Sequence, residues 1–341
     1  MRHPRFVGGW IFSARTDALL FGIPFVAGWA ILLLHAFIDL KEHRVLNRSI
    51  FVIAFACAAY LDTAHLLSTA FKSYLDRNIR RQQAVLLYLT PPLIVAVSVA
   101  VYKTLGIRYN LYLFAYFNLY HIVKQQYGWM AFARRKGHEG PGIDFALDRN
   151  TLYASMLLPA IWTHLFLEPN ERRLPLPTSP TLAMLCVALF LAVVAVYGLR
   201  QVWKLIARET INAAKLFIVL STMATWGAVM FIKSPFLPLI ASLYHSVPYL
   251  GLVYVSSRGK WFFPKAADSA GPREGRLLCY LLVVLVTGIL WSKTLHAFAK
   301  VSTDSRLGVS LVILTNVVPI MHYVIDGVVW KRRSYDVLTH T

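Results

Sequence analysis

The chain has 341 residues, 57% of them hydrophobic and 15% charged, with a mean hydropathy of +0.54. A soluble domain carries nearer about 45–50% apolar residues, so a water-soluble globular fold is excluded as the simple reading. The formal net charge of +19 raises nucleic-acid binding, but Lys and Arg are gathered in the short connections between apolar runs, where membrane topology puts them. Nucleic acid is therefore set aside as a partner, and the basic connections are read as facing anionic lipid headgroups.

Ten apolar runs follow one another along the chain, at about 17–39, 49–71, 83–104, 109–133, 149–168, 180–203, 212–233, 236–257, 276–298 and 306–330. Each nears the roughly 20 residues that cross a bilayer as a helix. Uninterrupted runs of that length satisfy their backbone groups as helices, not as barrel strands. The expected fold is all-α: a polytopic helical bundle of about ten transmembrane helices, forming a single transmembrane domain over 1–341 with short loops. With the N-terminus inside, the inside connections hold 23 of the 35 Lys and Arg and the outside loops 11. Both termini are then expected in the cytoplasm, in a multi-pass protein of the bacterial inner (plasma) membrane. The first run is too long for the apolar region of a cleaved signal peptide and reads as an uncleaved anchor.

The runs carry unusual polar residues. In the second, His65 follows Asp62 by three. In the fourth, which is crowded with aromatics, His121 precedes Gln125 by four, with Lys124 between them. In the eighth, His245 precedes Tyr249 by four. In the tenth, His322 precedes Asp326 by four. Residues three or four apart share a helix face. A lone histidine in a span is often a packing residue, and the fourth run's aromatics read as belt, as packing or as an apolar tunnel. Yet ionisable groups at membrane depth are a functional hypothesis by default, since each charge costs about 2.5–3.5 kcal/mol on insertion scales. Runs 2, 4, 8 and 10 are parallel in this topology, so their histidines can meet at similar depth. Pro248 and Pro319 lie three residues from His245 and His322, where a bend would aim the rings inward.

Chemically the set is imidazole plus carboxylate. Neutral imidazole suits iron, zinc and copper, and carboxylate favours harder, oxygen-handling metals. The metal-ligand candidates are His65, His121, His245, His322, Asp62 and Asp326. Asp62, Asp326 and Tyr249 are the candidate catalytic groups. Gln125, Tyr249 and Lys124 are candidates for orienting the ligands. Non-haem iron is the expected cofactor, with zinc, copper or haem b as alternatives. Cys57, Cys186 and Cys279 sit in different runs without a CxxC pair and read as packing residues.

The four dispersed histidines, with the string HYVIDGVVW at 322–330, resemble the bacterial Brp/Blh-type membrane carotenoid dioxygenases. That resemblance implies an all-helical membrane protein whose histidines hold iron for O₂-dependent cleavage of a carotenoid. The dense HxxxH and HxxHH clusters of membrane desaturases are absent, as is the HExxH of zincins. The GVSL string at 308–311 is a short match to rhomboid-like proteases. The expected function is a metal-dependent oxygenase or oxidoreductase acting on a carotenoid, isoprenoid or acyl lipid, served by an electron-donor protein. A haem-b electron carrier and a proton- or ion-coupled transporter are the alternatives.

Overall fold

A computed structural model describes residues 6–37, 44–166, 179–232, 236–256, 279–291 and 305–329. Among these the chain is all-α apart from two two-residue strands, β1 (Phe6–Val7) and β2 (Ile211–Asn212), which pair in parallel. The helices are α1 (Ala14–Asp17), α2 (Ile23–Phe37), α3 (Arg44–Lys72), α4 (Arg77–Gln82), α5 (Ala84–Leu105), α6 (Ile107–Lys136) and α7 (Ile143–Phe166). They continue with α8 (Pro180–Ile206), α9 (Ala213–Phe231), α10 (Leu237–Ser256), α11 (Cys279–Trp291) and α12 (Arg306–Val329).

Six segments are long and apolar enough to cross a membrane: 14–34, α5, α8, α9, 239–256 of α10 and 306–328 of α12. The chain is thus a multi-pass membrane protein by length and composition. The runs expected at 49–71, 109–133 and 149–168 form long helices too, α3, α6 and α7; in α6 and α7 charged and polar residues dilute the hydropathy. The run at 276–298 is described only over α11. Helices α5 and α8 expose most of their apolar side chains, among them Val85, Leu89, Leu93, Met184, Leu191 and Leu199. Faces of this kind are stable only against hydrocarbon.

Prolines mark the bends. A π-helical turn over Ala18–Gly22 precedes Pro24 at the start of α2; a residue lacking its N–H there loosens the ladder into the wider turn. Pro91 and Pro92 lie inside α5, Pro159 inside α7, Pro248 inside α10 and Pro319 inside α12.

The chain forms two compact units. One comprises 1–54 and 120–245, the other 55–119 and 246–341, so the divisions fall within α3, α6 and α10. In the first unit Leu32, Ala228 and Ile240 make one core and Cys186, Phe190 and Met230 another. A Cβ on Gly28 would stand 2.9 Å from the Ile240 side chain, so glycine permits that approach of α2 to α10. Cys57 and Cys279, expected as packing residues, are instead exposed.

One end of the first unit is held by charge. Arg134 pairs with Asp148 and, at 2.9 Å, with Glu139, and Lys215 reaches Glu139 at 2.8 Å and Asp148 at 3.0 Å. Arg134, Asp148 and Lys215 are all buried. Tyr197 donates to Asp148 at 3.3 Å. Nearby, Arg200 and Lys204 grip Asp144 at 2.8 Å and 3.0 Å. Two cations matched to two carboxylates leave the buried cluster neutral, the condition on which charges are tolerated in low dielectric. Strand pairing brings residues 6–7 to the 211–212 segment at this end, and Asn212 both caps α9 and donates to the Ala133 carbonyl at 2.8 Å. The N-terminal residues, the 134–149 connection and the 200–215 connection therefore lie on one side.

In the second unit Leu87, Ile94, Ile320, Met321 and Ile325 form the core between α5 and α12. Asn316 donates to Asn110 at 3.2 Å, Asn110 to the Ser98 carbonyl at 2.8 Å, and Tyr323 to Asn118 at 3.0 Å. A Cβ on Gly288 of α11 would lie 3.1 Å from the Tyr60 carbonyl and 3.2 Å from the Ala64 amide. Glycine thus lets α11 rest on the α3 turn that carries Asp62 and His65.

Removing Asp148 strands two buried cations. Asp148→Ala should destabilise the folded protein by about 3–5 kcal/mol, read as a lowered unfolding midpoint in detergent. Asp144 lies at the start of α7, ahead of its apolar stretch. Burial alone would raise its pKa, but hydrogen bonds and charge from Arg200 and Lys204 hold it down to about 2. A depressed carboxyl pKa stabilises above the unfolded value and loses that contribution as pH falls through the folded one. Acid titration of stability should show this loss between about pH 4 and pH 2, and Asp144→Asn should flatten the curve in that window.

Candidate metal centre

Buried histidines and a carboxylate in this chain are spaced closely enough to hold a metal ion. His65, His121, His245 and His322 are all buried, at 1%, 4%, 6% and 2% exposure, which separates them from surface histidines. Each unit contains one pair of them.

In the second unit the pair is His65 on α3 and His322 on α12, with ring centres 4.4 Å apart and planes crossed at 72°. His322 Nε2 stands 3.6 Å from Asp326 Oδ2, one turn along the same helix. Two ligands at about 2.1 Å from one ion, subtending about 90–120°, lie about 3.0–3.6 Å apart, so this pair of atoms fits a shared ion. Tyr249 of α10 packs edge-on against both rings, with centres 4.3 Å from His65 and 5.3 Å from His322. Its hydroxyl donates to Asp326 Oδ1 at 2.5 Å and meets Thr69 Oγ1 at 2.8 Å. Thr69 Oγ1 in turn lies 2.5 Å from His322 Nδ1. Asp62, one turn before His65, accepts from Ser246 Oγ at 2.5 Å.

In the first unit His121 on α6 and His245 on α10 face each other with ring centres 5.2 Å apart and planes at 88°. Imidazoles on one ion place their ring centres about 4.5–5.5 Å apart, a range that both pairs meet closely. Bis-histidine haem ligation needs them on opposite sides of a porphyrin, with ring centres about 6 Å apart or more. Both pairs are too close for that, which disfavours haem b between the partners of either pair.

Gln125, a candidate for orienting the ligands, donates through Nε2 to the His245 backbone carbonyl at 2.8 Å. Lys124, which snorkelling or pairing with an aspartate would explain, is exposed, and its ammonium lies 5.1 Å from the centre of the Tyr127 ring, a cation–π placement.

The aromatics of α6 divide between two environments. Tyr109, Tyr116, Phe117 and Tyr120 are exposed, while Tyr112, Trp129 and Phe132 are buried. Trp129 packs against Phe21 and Phe132. The split is that of a lipid-facing belt and a packed interior. Ser310 of the GVSL string bonds back to the Arg306 carbonyl at 2.9 Å, the ordinary behaviour of serine on a helix. His138 sits in a turn with φ +54° and His164 is half-buried. His3, His43 and His340, and the side chains of His35 and His296, lie outside the described residues.

Sequence reading missed two members of the second unit's cluster. Thr69 follows His65 by four and shares its helix face, and Ser246 adjoins His245. Hydroxyl residues are so common in membrane helices that neither position stands out without the fold. No family model, curated protein or solved structure matches the chain.

Tyr249 bridges a carboxylate to a threonine and fills the space beside two imidazoles. Tyr249→Phe should keep the packing but remove both bonds, destabilising by about 1–3 kcal/mol. Comparative thermal unfolding of metal-free wild type and variant measures this.

Proposed function

We propose that this chain is a membrane-embedded non-haem iron oxygenase, or a related oxidoreductase, acting on a lipophilic substrate drawn from the bilayer. The observation that carries the reading is the second unit's His65, His322 and Asp326: crossed imidazoles with a carboxylate oxygen 3.6 Å from one of them, in buried surroundings. Two histidines and a carboxylate form the facial set by which non-haem iron is held with coordination positions left open. Bound there, iron would supply activation of O₂ for attack on an unsaturated or acyl chain.

The protein's own groups have separate duties in this proposal. His65, His322 and Asp326 bind the ion. Tyr249 fixes one oxygen of Asp326 and presses on both rings, so ligand directions are set before metal arrives. Ser246 keeps Asp62 oriented beside His65. The apolar helices exclude water from reactive oxygen species and admit a lipophilic substrate laterally. The resemblance to carotenoid dioxygenases supports a carotenoid or isoprenoid, with acyl lipids as the wider class. Net reduction of O₂ in a monooxygenase or desaturase version would require an electron-donor protein. The basic end of the first unit is the side we assign to the cytoplasm, with about ten spans and both termini there.

A proton-coupled transporter is the second reading, favoured by the hydrogen-bonded series from His322 through Thr69 and Tyr249 to Asp326.

Metal analysis with an absorption spectrum on detergent-purified protein decides between them. The expected outcome is near-stoichiometric iron without a Soret band, with the iron lost in His65→Ala and His322→Ala while both variants still insert and fold. Folded wild type without metal, together with substrate uptake driven by a proton gradient, would replace this reading with the transporter.

A further inference from the structure

Proton counting in the second unit assigns a role to a residue outside the ligand set. Tyr249 has one hydroxyl proton and gives it to Asp326 Oδ1. An ionised carboxylate can only accept. The contact between Tyr249 and Thr69 at 2.8 Å therefore uses the Thr69 proton, with the tyrosine oxygen accepting. Thr69 then has no proton left for its other neighbour, His322 Nδ1 at 2.5 Å, and its oxygen must accept from Nδ1–H. Neutral imidazole carries one N–H, so the lone pair falls on Nε2. That is the nitrogen 3.6 Å from Asp326 Oδ2.

We propose that Thr69 is a positioning residue for the metal centre, setting the tautomer of His322 so that Nε2 presents its lone pair beside the Asp326 carboxylate. This rests on the iron-centre reading above. Thr69 is well placed for the task. It is 3% exposed, so water does not compete for its hydroxyl, and as a β-branched residue on a helix it has few rotamers. It lies one turn beyond His65 on α3, so a single helix face carries one ligand and the group that orients another. The chain of bonds also returns to its start: Asp326 orients Tyr249, Tyr249 orients Thr69, Thr69 orients His322, and His322 lies on the helix that carries Asp326. The two ligands of α12 are thereby set by one hydrogen-bonded circuit.

The test uses the full-length protein in detergent, loaded anaerobically with ferrous iron and titrated with a chromophoric chelator. Thr69→Val keeps the shape and removes the hydroxyl; Thr69→Ser restores it. The expected result is a 10–100-fold weaker hold on iron in Thr69→Val, the range for loss of a ligand-orienting partner, with Thr69→Ser near wild type. Nitrogen-15 spectra of the histidine rings in metal-free protein should show the Nδ1–H form of His322 in wild type and Thr69→Ser, and a mixture of forms in Thr69→Val. Equal iron retention in wild type and Thr69→Val, or an equal loss in Thr69→Val and Thr69→Ser, would overturn the positioning role. Wild type that holds no iron would instead remove the metal-centre reading itself.

Discussion

A carboxylate among apolar helices has to be surrounded by donors before it can be kept ionised, and that requirement shapes both units. Asp326 takes the Tyr249 hydroxyl on one oxygen and faces His322 with the other. Asp62 takes the Ser246 hydroxyl. Asp148 is met by Arg134, Lys215 and Tyr197. Apart from His322, which shares α12 with Asp326, each partner comes from a different helix, so satisfying the charge also fixes how helices pack. Between apolar surfaces in lipid there is little hydrophobic preference for one arrangement over another, and directed polar contacts supply the specificity.

The two polar systems differ in kind. The first unit's cluster balances cations against anions and is neutral as a whole, a structural arrangement. The second unit's cluster balances its carboxylate with hydroxyls and imidazoles, none of which carries a permanent positive charge. A set of donors arranged around a negative centre without a resident cation is suited to receive one. This electrostatic contrast is a physical reason to place ligand chemistry in the second unit.

Much of this was legible in the residue order. Apolar runs predicted long helices, and α5, α8, α9, α10 and α12 formed where the runs lay. Helical spacing predicted that Asp326 would lie near the His322 ring, because a four-residue offset is fixed by helix geometry; it paired Tyr249 with His245, whereas the Tyr249 ring packs against His65 and His322. What spacing could not supply was the partner across a helix interface. Gln125 shares a face with His121 yet bonds to the backbone of His245, an acceptor on another helix. Lys124 settled on an aromatic face that lies only three residues ahead. Thr69 was hidden because its importance depends on residues about 180 and 253 positions later in the chain. The span count stayed coarse for a related reason: α6 and α7 hold charged and polar side chains that packing accommodates and hydropathy averages penalise.

The interleaving of the units has a consequence for biosynthesis. The first unit's strand pair waits for residues 211–212 before the N-terminal segment has a partner. The second unit draws on 55–119 and on everything after 245. His65 leaves the ribosome more than 250 residues ahead of His322, so early helices must reside in the bilayer with half a ligand set. Only when α12, near the end of the chain, has inserted do His65, Thr69, Tyr249 and Asp326 share one environment. The second unit's His65, His322 and Asp326 therefore come together only once α12 is in place, whereas the first unit's His121 and His245 need no part of it.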